Sequence, residues 1–136
     1  MDTRLAAPDA VSVSLEPALR RLDEIARLEA DWDTYGGLSP TAEALETARH
    51  IITAVAEQLG ASVGKGSLPY DIAPIANGGV GLEWQGQAGS LEVWISPGGG
   101  LGYLLNARQG NDRAFTEAEQ ASAAEVIGLL RQVLRA

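Results

Sequence analysis

Apolar and polar positions along this chain change period twice. From residue 14 the apolar side chains recur at helical spacing. Leu15, Leu19, Leu22 and Ala26, flanked by Ala18 and Ile25, form one stripe, while Glu16, Arg20, Asp23, Glu24 and Arg27 fall away from it. Pro17 suits the first turn of such a helix, where no backbone N–H partner is lost. A second helical stretch is punctuated by Ser39 as N-cap, Pro40 at the first helical position and Gly60 just past the end, with Leu45, Ala48, Ile52, Val55 and Leu59 on its buried face. A third is predicted to open with a capping box, Thr116 and Glu119, and to present Ala123, Ile127, Leu130 and Leu134 to the core. Residues 1–13 carry no sustained period and read as a flexible tail before a single domain over 14–136.

Between the second and third helices the period falls to two. Val80, Leu82 and Trp84 alternate with Gly81, Glu83 and Gln85, and Leu91, Val93 and Ile95 alternate with Glu92, Trp94 and Ser96, the pattern of strands with one face buried. A further strand is expected within residues 70–76, at an edge because Pro74 interrupts it, and another over residues 101–106. Glycine-rich turns over 77–79, 86–89 and 97–100 make the links short and the neighbours antiparallel. The prediction is an α+β domain, an antiparallel four-stranded meander covered on one face by helices, in the order α-α-β-β-β-β-α. With residues 86–89 as the loop, Gln85 faces Ser90, Trp84 faces Leu91, Glu83 faces Glu92 and Trp94 faces Gly81. Like charges directly opposed are destabilising, so Glu83 and Glu92 call for a cationic neighbour, an arginine such as Arg108 or a basic group on a partner.

Composition narrows the choice of function. The 136 residues include 18 acids and 10 basic side chains, a net charge of -8. A single lysine, Lys65, and scattered arginines do not make the clustered cationic surface that phosphates require, which argues against nucleic acid. Residues 1–37 hold eight acids and four arginines, half of the net charge, enough to attract a basic partner or simply to keep the chain soluble. No cysteine is present, so neither a disulfide framework nor a thiol nucleophile is available, and a reducing cytoplasm is the expected location. No apolar run approaches the roughly 20 residues of a membrane span.

Four candidate chemistries fall short. Asp31, Asp33 and Gly36 begin like a calcium loop, but Tyr35 stands at the fifth place and Ala42 at the twelfth, where a bidentate glutamate should close it. The segment from Gly60 through Gly64, Lys65 and Gly66 resembles a phosphate loop with one residue too few and no hydroxyl after the lysine. The glycines at 98–102 lead into a strand, not a helix, and make no dinucleotide site. The sole histidine, His50, follows Glu46 by one helical turn and reads as its surface partner. No cofactor or metal is expected. Trp32 and Tyr35 read as rings plugging the gap between helices and sheet, and Gly36 as the reversal after them.

Trp32-Asp33-x-Tyr35-Gly36, followed by Ser39-Pro40 and later by Gly78-Gly79-Val80-x-Leu82-Glu83-Trp84 with Leu91-Glu92-Val93, resembles a family of short uncharacterised bacterial proteins over roughly residues 20–105. The resemblance implies that the turn and the strand ending at Trp84 form one unit. It carries no established activity, though small bacterial proteins of this kind include one half of a two-gene pair, an antitoxin-like or immunity-like partner. The expected function is a non-enzymatic protein–protein interaction module for a basic protein surface, using Glu83, Glu92 and Trp94 on the outer sheet face together with Asp31 and Asp33. The alternatives are a small-ligand-binding or hydrolytic protein using Glu83 and Glu92, and a self-assembling subunit whose exposed sheet edge pairs with its copy, since a homo-oligomer is compatible with the sequence.

Overall fold

The structure of the protein, a computed structural model, describes residues 13–134. The expected tail over 1–13 therefore lies, apart from Val13, outside the described residues. Among the described residues, three α-helices, one 3-10 turn and five strands follow in the order α1 (Glu16–Ala26), α2 (Ala42–Val63), the 3-10 turn (Gly64–Ser67), β1 (Asp71–Pro74), β2 (Val80–Gly86), β3 (Gly89–Ile95), β4 (Leu101–Gln109), β5 (Asp112–Ala121) and α3 (Ala123–Val133). The strands form one antiparallel meander, β1-β2-β3-β4-β5. The four-stranded expectation is thus corrected to five strands.

The missing strand is β5, which occupies the place given to the start of the last helix. Thr116 and Glu119 do not cap a helix; both lie in β5, where Thr116 pairs with Leu105 of β4. The capping box is made instead by Ser122 and Glu125. Thr-Glu-Ala-Glu-Gln is a run of helix-compatible residues, and its inward positions, Ala114, Thr116 and Ala118, are too small to print an apolar alternation on the sequence. Pairing with the long β4 overrides that local preference.

The start of α2 is displaced for a similar reason. Leu38 N–H donates to Ala76 O at 2.8 Å and Thr41 N–H to Gly78 O at 3.0 Å, so residues 38–41 are pinned, extended, to the β1–β2 turn. Helix α2 begins only after that anchor, with Thr41 rather than Ser39 as N-cap, its Oγ1 accepting from Ala44 N–H at 3.0 Å. Gly60 does not end the helix. It lies inside α2, where a Cβ would meet a Val13 methyl at 3.0 Å, and termination passes to Gly64 with φ 75°.

The core lies between the helices and the inner sheet face. Ala18, Leu22 and Ile25 of α1 are buried, whereas Ala26, assigned to that stripe, is exposed. They join Ile51, Ile52, Val55 and Leu59 of α2 and Val126, Ile127 and Leu130 of α3 against Val80, Leu82, Trp84, Leu91, Val93 and Ile95. Trp84 is the largest fully buried side chain, and its Nε1–H donates to Ser67 O at 2.9 Å, satisfying its polar atom. The β2–β3 hairpin closes tightly, with Gly86 paired to Gly89. A Cβ on Gly86 would sit 2.1 Å from Val133 O, so the glycine lets the end of α3 rest on the hairpin. No helix of the described residues is long and apolar enough to cross a membrane.

Candidate partner-binding face

The opposite face of the sheet carries no helix among the described residues, and its side chains fall in rows set by the strand register. One row runs Asp71, Glu83, Glu92, Leu104, Glu117 from β1 to β5. Directly opposed side chains are about 5 Å apart at Cβ, so Asp71, Glu83 and Glu92 stand as three neighbouring carboxylates, with Leu104 separating them from Glu117. The next row runs Ala73, Gly81, Trp94, Gly102, which leaves the indole between two residues without side chains. The expected opposition of Glu83 to Glu92, and of Trp94 to Gly81, is present.

Trp94 divides two shallow grooves. The smaller, about 180 Å³, is lined by Asp71, Ile75, Gly81, Glu83, Glu92 and the indole. The larger, about 610 Å³, lies on the other side of the ring toward Gly102, Glu117 and Glu119. The side chain nearest to a Cβ built on Gly81 is Ile75, at 3.7 Å, an ordinary van der Waals distance, so Ile75 packs beside that glycine. Trp94 Nε1–H donates to Glu92 Oε1 at 3.3 Å, and Gln85 Nε2–H donates to Glu83 Oε2 at 2.8 Å. These bonds steady the two carboxylates and leave their charge uncompensated.

The cation sought for this pair is not supplied from within the described residues. Arg108 stands opposite Arg113 at the end of the β4–β5 hairpin, a second like-charge pair. The ion pairs that do form lie on the helices: Arg20 with Glu16, Arg21 with Glu24 at 3.2 Å, and Arg49 with Glu46 at 3.6 Å and Asp23 at 3.9 Å. Glu46 is therefore engaged by Arg49, not by His50 as its spacing had implied. Tyr103 and Leu105 of β4 are turned inward and buried, and Leu104 takes the outer place opposite Glu92.

Asp31 and Asp33 are not brought to this face. They belong to a self-contained turn in which Asp31 Oδ1 accepts from Gly36 N–H at 2.7 Å, and Asp33 Oδ1 accepts from Tyr35 N–H at 2.9 Å and Gly37 N–H at 2.8 Å. The Tyr35 and Gly37 amides hold the Asp33 carboxyl below its ordinary range. Trp32 is half-buried and donates from Nε1 to Leu38 O at 2.8 Å, which braces the turn. Tyr35 is 90% exposed and plugs nothing, contrary to the sequence reading. Gly36, at φ 82°, supplies the reversal. The acidic oxygens that suggested a calcium loop thus serve backbone amides, and among the described residues no group of three His, Asp or Glu side chains is placed to hold a metal.

Sequence reasoning missed Asp71, Leu104, Glu117 and Phe115 on the outer face. Asp71 was reachable by extending the register one strand toward β1; Glu117 was hidden by the helix assigned over it, and Phe115 stood just before the expected cap, outside every assigned element. Comparison with family models, curated proteins and solved structures returns no match to this chain.

Proposed function

We propose that the protein is a non-enzymatic binding module whose outer sheet face receives a basic surface of another protein. The observation that carries this reading is the row Asp71, Glu83, Glu92, with no compensating cation among the described residues, beside an indole bordered by two glycines. A lysine or arginine entering the groove at Gly81 would meet carboxylates and the face of Trp94 together, combining charge pairing with a cation–π contact. An antitoxin-like or inhibitory role is one form such a module takes.

The test compares capture of partners from the native host by the wild-type chain, by Trp94→Ala and by Glu83→Gln/Glu92→Gln, at low and high salt. A partner retained by the wild type, lost with both variants and released by salt is the expected result. Equal retention by all three chains would remove the sheet face from the function. Salt-insensitive retention would remove the charge argument.

A further inference from the structure

The two edges of the sheet are not alike. β1 is a four-residue strand that ends at Pro74, and Arg21 Nε–H donates to Ile72 O at 3.0 Å, so this edge is short and partly capped. β5 has ten residues, and among the described residues its backbone bonds β4 and nothing else. It contains no proline or lysine, and Phe115, 64% exposed, stands on its outer face opposite Asn106. Helix α3 packs behind β2, β3 and β4 and leaves the β5 edge accessible.

We infer that β5 pairs antiparallel with β5 of a second copy of this chain, about a two-fold axis through Phe115. The strand's own sequence selects that register. Residues 112–118 pair with β4 without interruption, from Gln109 opposite Asp112 to Tyr103 opposite Ala118, and the ladder slips only beyond them. Phe115 is the midpoint of this regular stretch. Centring there sets Phe115 against Phe115 of the second copy, Arg113 against Glu117 of the second copy and, by symmetry, Glu117 against its Arg113. An exposed ring is buried against its equivalent, and Arg113, otherwise facing only Arg108, gains an acid twice per dimer. Moving the axis to Thr116 would oppose Phe115 to Glu117, and moving it to Glu117 would oppose that carboxylate to itself. Neither matches apolar with apolar and charge with opposite charge.

The product is a continuous ten-stranded sheet. Because the axis is normal to the sheet, both acidic faces lie on one side and all helices on the other, so the two Trp94 sites share one platform. This assembly is independent of what that platform binds.

The test is the oligomeric state of the full chain by sedimentation equilibrium, from low micromolar to near-millimolar concentration, with circular dichroism to verify folding. The wild type is expected to dimerise. Arg113→Glu and Glu117→Arg each place like charges at both symmetry-related pairs and should weaken self-association about tenfold or more. An equimolar mixture of the two variants restores both pairs and should dimerise as the wild type does. A wild type that stays monomeric throughout would overturn the inference, as would single variants that dimerise undiminished or a mixture that fails to recover.

Discussion

Trp84 and Trp94 sit on neighbouring strands of the same hairpin and face opposite ways, and their surroundings differ in kind. Trp84 has no exposed surface, is enclosed by aliphatic side chains and has its one polar atom satisfied by Ser67 O. Trp94 is half-buried, has a glycine on either side and donates to a carboxylate that itself stands beside another. The inner face follows every rule that stabilises a fold. The outer face breaks two of them, by opposing like charges and by leaving an indole without flanking side chains. Such local departures mark places where something other than stability sets the residues.

The contrast is broken most severely from the inside. Trp84→Ala should cost about 3–5 kcal/mol, since the surroundings can close only part of the cavity, and urea unfolding would show it as a lowered midpoint. Gly86→Ala should follow at about 1–3 kcal/mol, because the new methyl meets the carbonyl of Val133 at 2.1 Å and either the hairpin or the end of α3 must move. An unfolding midpoint unchanged in Gly86→Ala would mean that α3 does not rest on the hairpin as described.

The two faces were unequally legible in the sequence. The inner face was readable because Val80, Leu82, Trp84 and Leu91, Val93, Ile95 alternate cleanly, and the turn between them set the register that placed Glu83 opposite Glu92. Helix ends were less so: Ser39 and Gly60 are the right residue types for a start and a stop, but bonds from Leu38 and Thr41 to the β1–β2 turn moved the start and Gly64 supplied the stop. β5 was invisible because its inward residues are Ala and Thr and none of its ten residues is fully buried, so that its pairing leaves no mark on hydropathy, and its Thr116 and Glu119 mimic a cap. With β5 went Glu117 and Phe115, and hence the far side of the site and the free edge. Which carboxylates serve partners and which serve backbone amides is equally unreadable from spacing alone, as Asp31 and Asp33 show.

On the outer face the sign of the effect becomes the discriminating quantity. Trp94→Ala should cost under about 1 kcal/mol, because the half-exposed ring gives up less burial than Trp84, while removing the groove wall. Glu92→Gln should leave stability equal or raise it by a few tenths of a kcal/mol, roughly the size of one like-charge opposition, and yet weaken binding of a basic partner. Stability gained with binding lost separates a binding carboxylate from a structural one. A Glu92→Gln chain that unfolds earlier in urea would assign Glu92 to the fold instead.

The smallest effect sharpens the same distinction at a carboxylate that serves structure. The Tyr35 and Gly37 amides favour the charged form of Asp33 and hold its carboxyl below the ordinary value of 3.8. The folded turn therefore takes up that proton less readily than the unfolded chain does. Its contribution to stability is complete above the ordinary carboxylate range and is lost as pH falls through the lower folded value. Amide shifts of Tyr35 and Gly37, followed by NMR during acid titration, should move together with a midpoint below 3.8, and Asp33→Asn should flatten both curves while the amide oxygen keeps the turn closed. A midpoint at or above 3.8 would mean that these bonds do not hold the carboxylate in solution, and that Asp33 is as free to meet a partner as the acids of the sheet.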